Sequence, residues 1–147
     1  MTETQTPLKF SAEMWAAFWA APAESRIGDI LADDIVGYWQ GEPTPVRGRD
    51  AYTAKIVELI TKVPDLRLQL VDSATVDGQT PGEQLVYLHY VGRGTGPDGP
   101  IAIRGLDRVR SRDGIVVENV IRYDRVDSGV DPGVNQAGAR NAPNAAE

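Results

Sequence analysis

The chain has 147 residues, about the length of one domain, and its 41% hydrophobic and 24% charged residues are typical of a globular protein. Lys and Arg number 15 against 21 Asp and Glu, so the net charge of −6 disfavours nucleic acids and anionic membranes as partners. The chain has no cysteine and one histidine, which excludes disulfides, thiolate ligands and a multi-histidine metal site.

The two ends of the chain lack the periodic apolar patterns that predict helices and strands. Residues 1–10 contain no apolar segment of the kind that a signal peptide needs, so we expect a flexible arm and a cytoplasmic protein. Residues 127–147 are rich in Gly, Ala, Asn and Pro, which is typical of a flexible tail. We therefore expect a single domain over residues 11–126.

Three helices are predicted from apolar residues at helical spacing. The first begins after Ser11, which is suited to capping, and its buried stripe consists of Met14, Trp15, Phe18 and Trp19. The second spans residues 23–31. The third follows Asp50, which we expect to cap it, and ends before Pro64 because the residue before a proline avoids the α region.

Strands are predicted where apolar residues alternate or β-branched and aromatic residues cluster. These segments are residues 35–40, 66–71, 85–92, 101–110 and 115–124. The order of elements is then ααβαββββ. It predicts an α+β domain in which three helices pack in a curved antiparallel sheet.

The last two hairpins can be placed in register from their Asp-Gly loops. Three-residue loops at residues 97–99 and 112–114 would place Asp107 opposite both His89 and Asn119. A two-residue loop in the first hairpin would place Leu88 opposite Asp107 instead. The three-residue loops predict a row of polar side chains across three strands on an otherwise apolar face.

This polar row has two interpretations. Asp107 and Asn119 are either a buried structural network, satisfied by each other or by helix backbone, or they line a ligand cavity. In the second case Asp107 acts as an acid, a base or a hydrogen-bond donor, and His89 is its proton partner. The spacing alone does not choose between them.

Two segments resemble the nuclear transport factor 2-like superfamily, which includes SnoaL-like polyketide cyclases, limonene epoxide hydrolases and ketosteroid isomerases. They are LADDIVGYWQGEPTPVRGRDAY (31–52) and DRVRSRDGIVVENVIRYD (107–124). The resemblance covers residues 11–124. It implies a cone-shaped fold, an apolar cavity open at one end and commonly a homodimer formed through the sheet.

The resemblance to ketosteroid isomerases also implies roles for individual residues. Their oxyanion-hole aspartate falls on Asp107, but their catalytic base falls on Trp39 and their oxyanion tyrosine on Trp15. An indole donates one hydrogen bond and accepts no proton at neutral pH, so Trp39 cannot act as the base of the isomerases' own mechanism. Glu42 is expected near the rim of the cavity and is a candidate for a substitute base.

The epoxide hydrolases have an Arg-x-Asp pair where this chain has residues 87–91, which contain neither residue type. Arg122 and Asp124 have the spacing of that pair but are predicted on the outer face. The SnoaL-like cyclases chiefly need one acid in an apolar cavity, and Asp107 meets that requirement.

We therefore predict a SnoaL-like enzyme that moves a proton on a polyketide, terpenoid or steroid-like substrate, without cofactor or metal. The alternatives are an epoxide hydrolase of the limonene type and a ligand-binding or assembly domain without catalysis. The predicted catalytic residues are Asp107, His89 and Asn119. The predicted substrate-binding residues are Trp15, Phe18, Trp19, Trp39, Ile103, Ile121 and Tyr123.

The expected partners are a small apolar molecule and a second copy of the chain. The homodimer is predicted because the outer sheet face mixes charged residues with apolar ones, which we expect to be Val116, Val120, Leu106 and Tyr90.

Overall fold

A computed structural model describes residues 9–23 and 28–126, so the predictions for residues 1–8, 24–27 and 127–147 lie outside the described residues. The elements are α1 (Ala12–Ala20), β1 (Leu31–Trp39), β2 (Val46–Arg47), α2 (Arg49–Lys62), β3 (Arg67–Asp77), β4 (Glu83–Gly96), β5 (Gly99–Arg112), β6 (Ile115–Ile121) and β7 (Tyr123–Val126). Neither described helix is long and apolar enough to cross a membrane.

The α+β class is confirmed, but the number of helices and the sheet type differ from the prediction. The described residues form two helices, and Leu31, predicted to end a helix, is the first residue of β1. The strands form one sheet in the order β2-β1-β6-β5-β4-β3, with β7 paired to β5. The sheet is mixed because β1 and β6 run parallel while the other neighbours are antiparallel.

The first helix begins as its sequence predicts. The Ser11 side chain accepts a hydrogen bond from the Met14 N–H at 3.1 Å, and Trp15 and Trp19 are buried against the core. The preceding residue, Phe10, belonged to the predicted arm, but its N–H donates to the Gly114 carbonyl at 2.8 Å.

The second helix begins differently from its prediction. Gly48, with a φ of 96°, is the N-cap residue, and Asp50 lies in the first turn, where its charge favours the helix dipole without capping a backbone N–H. The buried face of this helix contains Tyr52 and Ile56. The apolar stripe that the sequence predicts for this helix, Ile56, Leu59, Ile60 and Val63, packs against the core, and Tyr52 extends it by one turn towards the N-terminus.

The register between β4 and β5 is one residue away from the prediction. Gly99 has a φ of 118°, as a turn glycine often does, but it pairs with Gly96, so only Pro97 and Asp98 lie outside the ladder. Leu88 is consequently opposite Asp107. Side chains alternate between the two faces of a strand, so a shift of one residue moves every side chain of β4 to the other face. His89, which is predicted on the inner face, therefore lies on the outer face.

The register between β5 and β6 also differs from the prediction, yet Asp107 and Asn119 both face inward as predicted. Asp113 and Gly114 both have positive φ and form a two-residue turn, which shifts the register by one residue. An irregularity between Arg110 and Ser111 then shifts it by one more. Asn119 is thus opposite Val109 rather than Asp107, but it still shares the inner face with Asp107.

Gly105 makes room for an aromatic ring on the inner face of the sheet. It is opposite Tyr90, and a Cβ atom added at Gly105 would overlap the tyrosine ring. Tyr90 is 2% exposed and packs against Trp15, with 5.1 Å between ring centroids. The glycine therefore fixes the position of Tyr90 across the strand.

We predict that Gly105→Ala lowers the free energy of unfolding by about 1–3 kcal/mol, because the new methyl group forces the Tyr90 ring out of its packed position. Thermal and denaturant unfolding measure the effect. Gly96→Ala is the matched control, since its added Cβ would make only ordinary contacts with Ile101 and Gly99. Equal stability of the two variants would contradict the packing argument.

Candidate functional site

The two helices and the inner face of the sheet enclose a cavity of about 400 Å³. This volume is within the range of small-molecule sites. All seven residues predicted to bind substrate line it: Trp15, Phe18, Trp19, Trp39, Ile103, Ile121 and Tyr123. Its wall is mostly apolar and aromatic, so it suits a largely apolar ligand.

Asp107 is a buried carboxyl group in the wall of this cavity. It is 5% exposed, and its Oδ1 accepts hydrogen bonds from the Tyr90 hydroxyl at 3.0 Å and from the Arg122 backbone N–H at 3.2 Å. Arg122 lies between β6 and β7, where the ladder along β5 is interrupted. Both hydrogen bonds are made by Oδ1, so Oδ2 is the oxygen that remains for a ligand.

The environment of Asp107 favours its neutral form. Burial raises the pKa of Asp107 from 3.8 to about 7, while the hydrogen bonds from Arg122 and Tyr90 and the charge of Arg122 oppose this shift. Both protonation states are therefore populated at neutral pH. A group with such a pKa can either donate or accept a proton there.

Asn119 and Tyr52 form a second polar pair in the cavity wall. The Asn119 Nδ2 donates to the Tyr52 hydroxyl oxygen at 2.7 Å and so joins β6 to α2. Burial raises the pKa of Tyr52 to about 12, so this phenol keeps its proton. Asn119, predicted beside Asp107 as its strand partner, thus bonds to a tyrosine from a helix.

His89 does not belong to this site, and its predicted position there is wrong. It does not line the cavity, its side chain is 44% exposed, and its Nδ1 lies 3.4 Å from Asp72 Oδ1 on β3. The register shift of β4 places its even-numbered neighbours Leu88 and Tyr90 inward instead. Tyr90 thus holds the place beside Asp107 that we predicted for His89.

Two tyrosines that line the cavity, Tyr52 and Tyr90, were not predicted as site residues. Tyr52 precedes Ile56 by four residues and could have been found by extending the apolar stripe of α2 by one turn. Tyr90 was predicted on the outer face, as was Val116, and both are buried in the cavity wall. The inward positions of Tyr90 and Val116 follow only from the correct loop lengths and from the register change between β5 and β6.

The rim of the cavity contains an ion pair and a glutamine side chain that forms two hydrogen bonds to the backbone of β7. Glu42 lines the cavity and is exposed, as expected of a rim residue, and its Oε2 lies 2.7 Å from Lys55 Nζ. The Gln40 side chain accepts from the Tyr123 N–H at 2.9 Å and donates to the Tyr123 carbonyl. Among the described residues, no three metal-binding side chains converge.

Comparison with known proteins agrees with this geometry. Residues 12–119 match the SnoaL-like domain family. A protein with a ketosteroid isomerase-like fold from Catenulispora acidiphila, solved in complex with trimethylamine, is 15% identical over 76% of this chain and 83% of that chain, with a TM-score of 0.63. No curated protein gives a significant match.

Two solved structures of proposed polyketide cyclases have the same fold. IdmH from Streptomyces antibioticus is 23% identical over 76% of this chain and 88% of that chain, with a TM-score of 0.61. The protein from Pseudomonas putida is 14% identical over 76% of this chain and 87% of that chain, with a TM-score of 0.57.

The fold and the apolar cavity with one buried acid thus define a nuclear transport factor 2-like protein. Within that superfamily the chain belongs to the SnoaL-like domain family.

The raised pKa of Asp107 predicts how stability depends on pH. The unfolded chain loses this proton near pH 3.8, whereas the folded protein holds it up to about pH 7. Raising the pH through this window therefore removes on the order of 4 kcal/mol of stabilisation. We expect the melting temperature of the protein, relative to that of Asp107→Asn, to fall between pH 4 and pH 7. A constant difference would contradict the raised pKa.

Proposed function

We propose that this protein is a cofactor-independent enzyme that moves a proton on a largely apolar small molecule, in an isomerase or cyclase type of reaction. The observation that carries the proposal is a buried carboxyl group with a pKa of about 7 in the wall of an apolar cavity. Perturbed acids of this kind concentrate at catalytic sites.

The geometry of Asp107 gives its two oxygens different tasks. Oδ1 is held by Tyr90 and the Arg122 backbone, which fixes the plane of the carboxyl group. Oδ2 then takes a proton from the carbon next to a substrate carbonyl, which leaves an enolate, and returns it to another carbon of the same molecule. The carboxyl group ends in its starting state, so no other reagent is consumed.

The alternative of an epoxide hydrolase has less support from the cavity wall. Among the described residues, the arginine that lines the cavity is Arg125, at its rim, and Arg122 turns its guanidinium to the carbonyls of Tyr38 and Ile121. An Arg-x-Asp pair facing the ligand is therefore missing from the described wall. A binding domain without catalysis remains as an outcome of the experiment below.

The experiment measures exchange of solvent deuterium into the acetyl methyl group of para-ethylacetophenone by proton NMR. We expect exchange to require the ionised carboxylate, so its rate rises with pH through about pH 7 and then levels off. Asp107→Asn keeps the Oδ1 acceptor but cannot take a proton. It should lower the rate by on the order of 10²–10⁴.

Asp98→Asn is the matched control, because Asp98 is exposed in the turn between β4 and β5 and does not line the cavity. Its exchange rate should equal that of the unchanged protein. If Asp107→Asn binds the ketone and exchanges it at the unchanged protein's rate, the catalytic role is refuted and the cavity is a binding site.

We also propose that a second copy of the chain covers the outer face of β4, β5 and β6. Leu106 is 57% exposed there, and its strand carries Arg104, Arg108 and Arg110 beside the acids Glu118 and Asp124. A face with both charge signs around an apolar centre can pair with itself through a two-fold axis.

Sedimentation at micromolar concentration tests the dimer. We expect a dimer for the unchanged protein and a monomer for Leu106→Glu, because two buried carboxylates would face each other across the axis. Glu13→Gln, on α1 away from this face, is the control and should remain dimeric. A monomeric unchanged protein would overturn the proposal.

A further inference from the structure

The Asn119 amide has a polar atom that the fold leaves unsatisfied. Asn119 is 7% exposed, and its Oδ1 is buried with no hydrogen-bond donor in reach among the described residues. A buried acceptor without a partner is costly, and few survive in native structures. Asn119 also borders the cavity, so the missing donor has a place from which to come.

Tyr52 supplies the complementary group. Its hydroxyl oxygen accepts the Asn119 Nδ2 at 2.7 Å, so its own hydrogen is free for another acceptor. Burial raises the pKa of Tyr52 to about 12, which keeps that hydrogen in place at neutral pH. The pair therefore has one spare donor and one spare acceptor, side by side in the cavity wall.

We infer that Tyr52 and Asn119 form a subsite for a ligand hydroxyl group. A hydroxyl oxygen accepts from the Tyr52 O–H while its hydrogen goes to Asn119 Oδ1, so one ligand group satisfies both. Because Oδ1 is buried in the empty fold, binding requires the amide to turn about its terminal torsion, which is broad in asparagine. A ketone or an ether satisfies only the tyrosine.

The subsite is separate from Asp107 and adds a requirement to the substrate. Asn119 is opposite Val109, so Asp107 is its diagonal neighbour on the same face, at a typical Cα separation of about 7–8 Å. The inference rests on the proposed function in taking this cavity as the ligand site. It assigns a ligand with a carbonyl at Asp107 and a hydroxyl a few bonds further along an apolar skeleton.

Three acetophenones of nearly equal size test the subsite by binding alone. Their para substituents are hydroxymethyl, ethyl and formyl, which respectively offer a donor and an acceptor, neither, and an acceptor only. Dissociation constants are measured by titration with ligand-detected NMR. We expect the hydroxymethyl compound to bind about tenfold more tightly than the formyl compound, which lacks one of the two hydrogen bonds, and more tightly still than the ethyl compound, which lacks both.

Two variants locate the effect. The double variant Tyr52→Phe/Asn119→Leu should bind all three compounds with affinities within about twofold of one another, because it leaves neither a phenol nor an amide to contact the para substituent. The double variant removes both polar partners together, so we expect it to melt no lower than the unchanged protein. Tyr87→Phe makes the same chemical change on a half-exposed residue outside the cavity and should keep the tenfold preference.

Each outcome decides the inference. Equal binding of the three compounds by the unchanged protein overturns it, and tighter binding of the formyl compound would show that the amide is reversed and reads an acceptor. Loss of stability in the double variant with the preference retained would assign the pair a structural role. Because binding needs no turnover, the preference can hold in Asp107→Asn even if the exchange experiment fails.

Discussion

The desolvation of one carboxyl group, Asp107, is the constraint on which the site depends. The ladder along β5 passes from β6 to β7 at Arg122, and the carboxyl oxygen accepts the backbone N–H that the interrupted ladder leaves free. Tyr90 adds a second hydrogen bond to the same oxygen. Burial in the apolar wall raises the pKa of Asp107 to about 7 although both hydrogen bonds oppose this shift, whereas an exposed aspartate would stay ionised at that pH.

Small backbone features place the groups around this acid. Gly105 leaves space for the Tyr90 ring, and the Tyr90 ring in turn packs on Trp15 of α1. On the other side, Trp39 packs on Tyr52, with 5.1 Å between ring centroids, and Tyr52 meets Asn119. The helices thus contribute aromatic walls and a phenol, while the sheet contributes the acid and the amide.

Two polar groups in the cavity wall, Asp107 and Asn119, are in environments that destabilise the empty fold. The neutral carboxyl group and the unsatisfied Asn119 oxygen both cost stability in the empty fold, and a ligand with matching polar groups would recover part of it. In the proposed function, the wall that contains Trp15, Trp39 and Ile121 would supply non-directional affinity, whereas the polar groups would set the orientation of the ligand. This division of work is common in small-molecule sites.

The sequence by itself determined the fold class, the Ser11 cap, the apolar stripe of α1 and the inward positions of Asp107 and Asn119, because these depend on local periodicity and on residue parity within one strand. The tertiary structure decided the rest. The loop between β4 and β5 is one residue shorter than predicted, so the side chains of β4 face the opposite sides of the sheet, with Tyr90 inward and His89 outward. The loop between β5 and β6 is also one residue shorter, but the register change within that hairpin keeps Asn119 on the inner face. Local propensity does not fix these registers, since they depend on which turn closes each hairpin and on the packing of Tyr90 against Gly105 and Trp15. The parallel pairing of β1 with β6 joins segments distant in sequence, and no local pattern encodes it.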